Sequence, residues 1–206
     1  MKLNIGSGNM DPNCVFAKDW TNVDINYDGT KPEWKNGMYL NFDITKHWPL
    51  QHDSVDCIFA SHIFEHIELK DLGYTLIQCY RVLKPGAPIR IICPDPRIFI
   101  KQWKMNNKEF LIDVFGKENC VNWEYERFPH EVFTTMFFGD RIAHALISSI
   151  DTIQILLIRL GFSKVEELNC GVTMFPQYFR IPEDKAFGIT SFDNRPSMSW
   201  YLEAIK

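Results

Sequence analysis

The stretch Ser61-His62-Ile63-Phe64-Glu65-His66-Ile67 contains H-x-x-E-H, a zinc-peptidase pattern in which two histidines at i, i+4 share a helix face. A zinc site of that kind needs a third ligand, and spacing picks out no downstream acid for the part, so no metal is expected. Three other short stretches place reactive or hydrogen-bonding groups at the ends of strand-like runs. Lys2–Asn9 reads KLNIGSGN and leads into Gly6-Ser7-Gly8. Glycines there let the backbone turn sharply and approach a ligand without a side chain in the way, although a plain tight turn would read the same. TNVDIN ends on Asp24, an acid placed to accept from ribose hydroxyls in nucleotide-binding α/β folds, or simply to cap a turn. YLNFDIT places Asp43 before a turn, able to accept from an adenine amino group beside an apolar platform at Ile44. Each is weak alone. Three at consecutive strand ends make a pattern.

The elements that must carry these residues are apolar runs bounded by turn signals, alternating with longer helical patterns. Strands are expected at Lys2–Ile5, Thr21–Ile25, Met38–Phe42, Val55–Ala60, Pro88–Cys93, Val165–Asn169 and Met198–Ile205. Leu72, Leu76, Cys79, Tyr80 and Leu83 share one face of a helix over Leu69–Leu83, stopped by Lys84-Pro85-Gly86. A long, mostly helical stretch follows the fifth strand. This alternation implies a three-layer α/β/α fold with a mostly parallel sheet, an antiparallel edge at the carboxyl terminus, and ligands at the strands' carboxyl ends.

With 206 residues, 46% hydrophobic and 23% charged, the chain suits a single globular domain with a proper core. A net charge of −4 argues against a broad phosphate-binding surface. Six scattered cysteines form no C-x-x-C pair; Cys57 and Cys93, inside apolar runs, read as buried thiols of a reduced, cytoplasmic protein. The apolar stretch Ile142–Leu160 is interrupted by His144, Ser148, Ser149, Asp151, Gln154 and Arg159, so no membrane span is expected. The chain begins at once on a strand, as an excised part of a longer polypeptide would, and has no signal peptide.

KLNIGSG, then TNVDI, then NFDITKHWPLQHDSVDCIFASHIFEHI and RVLKPGAPIRIICPD together resemble class I S-adenosylmethionine-dependent methyltransferases. More narrowly, they are similar to a short branch, beginning KLN-hydrophobic-G-small-G, that is often associated with surface-polysaccharide assembly. The likeness is strong from Lys2 to about Asp95 and looser through Leu157–Phe162 and Arg195–Lys206. It implies a Rossmann-like sheet and S-adenosyl-L-methionine as cofactor, with S-adenosyl-L-homocysteine as product. It also implies a cofactor pocket of Gly6, Ser7, Gly8, Asp24, Ile25, Asp43, Ile44 and Ser61, with SHIFEHI beside the sulfonium. In that setting Ser61 and His62 form pocket walls through their backbone, and Glu65 and His66 brace the loop. The sequence departs from the common pattern at Asn4, where an acid is frequent, and lacks a third glycine, with Met10 nearby. The span from Gly8 to Thr21 is too short for a full crossover helix.

Methyl transfer to a hydroxyl benefits from a general base near the ends of the fourth and fifth strands, worth roughly 10²–10⁴-fold. The candidates are Asp95 in Cys93-Pro94-Asp95-Pro96, His130 in Arg127-Phe128-Pro129-His130-Glu131, and His62. Asp95 has an equally good role as a helix cap, and His130 as a packed surface histidine. Residues 99–140 are dense in aromatics and are expected to form an acceptor-side subdomain or lid. Most of those rings would serve packing, but aromatic faces beside carboxylates and Arg127 also suit a sugar ring. The expected activity is therefore O-methylation of a glycan hydroxyl, such as that of a terminal deoxyhexose. Transfer to another small molecule or to RNA is the alternative enzyme reading. The fourth strand lacks the Asn/Asp-Pro-Pro-aromatic tetrad of DNA amino-group methylation, and no basic stripe favours nucleic acid. A non-catalytic cofactor-fold module is the reading from another class.

Overall fold

The computed structural model describes residues 1–8, 19–26, 38–115, 149–179 and 198–206. Its strands are β1 (Lys2–Ile5), β2 (Thr21–Val23), β3 (Met38–Leu40), β4 (Cys57–Ser61), β5 (Pro88–Pro94), β6 (Ser163–Leu168) and β7 (Ser199–Ile205). The helices are α1 (Leu69–Val82), α2 (Pro96–Lys104), α3 (Lys108–Phe115), α4 (Ile150–Leu160) and α5 (Pro176–Phe179), with a 3₁₀ turn at Phe64–His66. The seven strands form one sheet in the order β3-β2-β1-β4-β5-β7-β6. Strands β1 to β5 pair in parallel. Strand β7 runs antiparallel between β5 and β6, so the carboxyl-terminal pair closes one margin of the sheet. This is the Rossmann-like α/β architecture expected from the alternation of elements.

Side chains of a strand alternate between its two faces, and both faces of this sheet are covered, so its inner strands are mostly apolar, with Asn4, Arg90 and Glu203 among the buried polar exceptions. Ile58 and Ala60 of β4 join Leu3, Ile5, Ile89, Ile91 and Leu202 in the larger core, which α1 covers with Leu72, Leu76, Cys79 and Val82. Helix α4 adds Ile153 and Leu157 to the same core. Opposite them, Cys57 and Phe59 pack with Trp20, Ile92, Tyr201 and Phe179 of α5. Ser149 caps α4 by accepting from Thr152 N, and Gly161 ends it in the left-handed conformation at φ 100°. No described helix is long and apolar enough to cross a membrane.

The expected buried thiols lie within these layers. Burial pushes the Cys57 thiol up to about 12 and raises those of Cys79 and Cys93 further. A thiol that cannot ionise is a poor nucleophile. Native protein treated with a thiol reagent at pH 8 should therefore remain unlabelled at Cys57, Cys79 and Cys93, and full labelling should require denaturant. Peptide mapping by mass spectrometry reads this directly, and rapid native labelling of Cys93 would contradict the packing.

A cofactor-type rim at the carboxyl edge of the sheet

Parallel strands bring their carboxyl ends to one edge, and the predicted site residues that are described lie along it. The turn after β1 takes left-handed backbone at Gly6 (φ 67°) and Gly8 (φ 56°), where a side chain would be strained. Gly6 N and Ser7 N both donate to Val23 O, at 2.9 and 3.0 Å, pinning the turn to the end of β2. A Cβ on Gly6 would lie 2.4 Å from Ile63 Cγ1, so only glycine lets this turn pack against the segment after β4. At Gly8 the same construction meets nothing within 4 Å among the described residues. Just below the first glycine, Asn4 Nδ2 donates to Asn22 Oδ1 at 3.0 Å across β1 and β2. A buried neutral amide pair therefore stands where an acid is common, and needs no counter-charge.

Asp24 follows β2 directly. Its Oδ2 accepts from Gly8 N at 2.7 Å and its Oδ1 from Asn26 N at 2.8 Å. A carboxylate has about four acceptor positions, so each oxygen keeps capacity for a further donor. Beside it, Ile25 is 59% exposed, an apolar side chain held at the rim without burial. Asp43 follows β3, and its Oδ1 accepts from Thr45 Oγ1 at 2.7 Å and Thr45 N at 2.8 Å. The Thr45 hydroxyl bond, aided by the Thr45 amide and Lys46, outweighs partial burial and holds the Asp43 carboxyl below its usual range. Ile44, the expected apolar platform, packs its side chain against the larger core. Its carbonyl accepts from Trp48 Nε1 at 2.8 Å and Thr75 Oγ1 at 3.2 Å. Arg81 of α1 then clasps the following residues, with Nη2 on Trp48 O and Nη1 on Leu50 O. The segment bearing Asp43 is thus fastened to α1, a tie that sequence spacing does not reveal.

Ser61 ends β4 and His62 follows it with φ 52°, a left-handed conformation uncommon outside glycine. His62 N donates to Ile92 O at 2.8 Å, so the ring projects from a backbone still tied to β5. Its Nδ1 lies 3.1 Å from Glu65 Oε1 and its Nε2 3.1 Å from Ser199 Oγ. Glu65 is buried and His66 is exposed on the surface. Glu65 braces this segment through His62. Among the described residues, no group of three His, Cys, Asp or Glu could hold a metal ion.

Asp95 is buried and caps α2, accepting from Arg97 N at 2.8 Å. Arg97 also grips both its oxygens, with Nε at 3.0 and 3.1 Å and Nη2 at 2.8 Å. The same guanidinium reaches Glu167 Oε1 at 2.6 Å, and the two acids raise the Arg97 pKa above its ordinary value. A carboxylate so engaged is organised to hold a helix end. Asp95→Ala should lower stability by roughly 0.5–2 kcal/mol through the lost cap, read as a shift in the urea midpoint. His130 lies outside the described residues. Of the aromatic segment, Phe99 and Phe110 pack edge to face at 5.3 Å, and Trp103 is 43% exposed.

Residues 3–91 match the family pattern described as "Methyltransferase domain". Over that span the chain is similar to methyltransferase domains. That span runs from β1 into β5 and includes every rim residue just described up to His62 and Glu65. The fold agrees with solved structures of the same kind. A SAM-dependent methyltransferase from Archaeoglobus fulgidus superposes with TM-score 0.57 at 17% identity, covering 100% of this chain and 85% of that one. A SAM-dependent methyltransferase from Thermotoga maritima, described as a possible histamine N-methyltransferase, gives TM-score 0.57 at 13% identity, over 100% of this chain and 81% of that one. Haemonchus contortus phosphoethanolamine N-methyltransferase 2, in complex with S-adenosyl-L-methionine, gives TM-score 0.53 at 13% identity, over 100% of this chain and 48% of that one. Among curated proteins, none matches the sequence.

The cofactor that goes with this domain is S-adenosyl-L-methionine, and the rim fits it. Among the described residues nothing crowds Gly8, the Asp24 carboxylate has spare acceptor capacity, and an exposed apolar side chain adjoins it at Ile25. Ser7 Oγ is buried with no hydrogen-bond partner among the described residues, a polar atom that a bound ligand would satisfy.

Proposed function

We propose that this methyltransferase domain transfers a methyl group from S-adenosyl-L-methionine to a hydroxyl of a saccharide, with Gly6, Ser7, Gly8, Asp24, Ile25, Asp43 and Ser61 holding the cofactor. The observation that carries the cofactor assignment is the clip between the glycine turn and the acid, Gly8 N to Asp24 Oδ2 at 2.7 Å. It joins the ends of β1 and β2 at the edge that also carries Ser61 and His62. When bound, the cofactor supplies an activated methyl on a sulfonium, so the protein's work is alignment and exclusion of water. Oriented proximity of this kind contributes on the order of 7–11 kcal/mol.

His62 is the described candidate best placed to receive the acceptor's proton. It stands at the end of β4, and its ring nitrogens are engaged by hydrogen bonds rather than by an ion pair with a guanidinium. Asp95 is assigned to the α2 cap and its Arg97 pair. A sugar acceptor is supported by the likeness to polysaccharide-associated methyltransferases and by the aromatic segment after β5, of which Trp103 offers an exposed ring. The test is a transfer screen with tritiated methyl donor over glycans, small amines and metabolites, and RNA. Label in a glycan that survives amine-directed cleavage supports the proposal; label confined to amines or to RNA overturns its acceptor.

A further inference from the structure

We infer that Glu65 is the positioning residue for His62, fixing the imidazole as its Nδ1–H form so that Nε2 is the proton acceptor turned toward Ser199. The inference rests on the proposed transfer for its purpose and on the geometry alone for its substance. Glu65 Oε1 lies 3.1 Å from His62 Nδ1, and Ser199 Oγ lies 3.1 Å from Nε2 on the opposite side of the ring. An ionised carboxylate has no hydrogen to give, so the Nδ1 contact requires Nδ1 to carry the proton. A neutral imidazole with Nδ1–H has an acceptor at Nε2, and the Ser199 hydroxyl then donates to it.

The fold spends strained backbone on this arrangement. His62 sits at φ 52°, while its amide still bonds Ile92 O, so the turn aims the ring away from the β4 strand direction. Strand β7 begins at Ser199, opposite Pro94 at the end of β5. Its antiparallel course is what delivers a hydroxyl from the far end of the chain to the carboxyl edge. Glu65 is 3% exposed, and its second oxygen has no hydrogen-bond partner among the described residues. A buried carboxylate held by the His62 imidazole and the Cys93 thiol is costly as mere packing. Cys93 on β5 is the other ionisable group against it; burial, then the Glu65 charge, keeps that thiol protonated. In the proposed reaction Ser199 passes its hydroxyl hydrogen to Nε2 as it takes the acceptor's. One proton thus moves from acceptor to imidazole, and Glu65 stabilises the imidazolium that forms.

The tautomer is read without any acceptor. Protein labelled with ¹⁵N-histidine, with His62 assigned by loss of its signals in His62→Gln, should show a protonated Nδ1 and a bare, hydrogen-bonded Nε2. In Ser199→Ala the Nδ1 proton should persist while the Nε2 resonance moves toward that of a free nitrogen. In Glu65→Met an Nε2–H population should appear. A protonated Nε2 in the unaltered neutral ring would overturn the inference, and so would an unchanged spectrum in folded Glu65→Met. Should that variant fail to fold, the unaltered protein and Ser199→Ala still decide it. Calorimetry with S-adenosyl-L-homocysteine on the same samples separates the two readings. Binding with the wrong tautomer removes only the role of Glu65, whereas absence of binding with the right tautomer removes the transferase reading instead.

Discussion

Glu203→Ala is expected to destabilise the chain by about 3–5 kcal/mol, the largest single effect on folding that the structure implies. Glu203 and Arg90 face one another across β5 and β7, and both are fully buried. Arg90 Nη1 donates to Glu203 Oε1 at 2.5 Å and to Val172 O at 3.0 Å. Thr173 Oγ1 donates to the same carboxylate oxygen at 2.6 Å, and Met174 N donates to Oε2 at 2.7 Å. Removing the acid strands a buried guanidinium and releases the residues after β6 that it gathers. Replacing both partners with apolar residues, as in Arg90→Met with Glu203→Leu, removes the charge together with its counter-charge. The double variant should recover a large part of the single variant's loss. Urea unfolding of the unaltered chain, Arg90→Met, Glu203→Leu and the double variant measures this, and strict additivity of the two single losses would contradict the pairing.

Asp24→Ala is expected to weaken binding of S-adenosyl-L-homocysteine by about 3 kcal/mol, on the order of 100-fold in Kd. Two losses combine. The acceptor for ligand hydroxyls disappears, and Gly8 N loses the carboxylate that holds the glycine turn open against β2. Asp24→Asn keeps an acceptor oxygen for Gly8 N but not the charge, and should fall between the two. Titration calorimetry gives all three affinities, and circular dichroism checks that the sheet is intact. Equal affinity in Asp24→Ala and the unaltered chain would remove Asp24 from the cradle.

The strands were legible where burial is continuous. Pro88–Cys93 and Met198–Ile205 read as apolar runs because β5 and β7 lie inside the sheet, covered on both faces. Boundaries shifted where local pairing departs from the apolar pattern. Val55 makes only an isolated bridge to Leu83, so β4 begins at Cys57. Strand β6 starts at Ser163, earlier than its apolar residues suggest, because an edge strand with a register shift tolerates Lys164 and Glu166 on its exposed surface.

The strand-end placement of the candidate residues was legible in the same measure. Gly6, Gly8, Asp24 and Asp43 stood out because each ends a strand, and a parallel sheet gathers such ends without further information. The exposed apolar neighbour of Asp24 was also visible as Ile25, whereas Ile44 could not be assigned to the core until α1 was in place against it. Glu65, Ser199 and the Arg90–Glu203 pair carried fainter signals. An arginine within PIRIICP and a glutamate within SWYLEAI mark buried charges, but only the β5–β7 register sets them opposite one another. Ser199 is 137 residues from His62, a contact that depends wholly on β7 entering the sheet beside β5.

A crystal of the chain soaked with S-adenosyl-L-homocysteine tests the cradle most directly. Density for the adenosyl group against Gly8, with ribose oxygens on the Asp24 carboxylate, is the predicted result. Density elsewhere on the molecule, or an empty edge at saturating ligand, would contradict it.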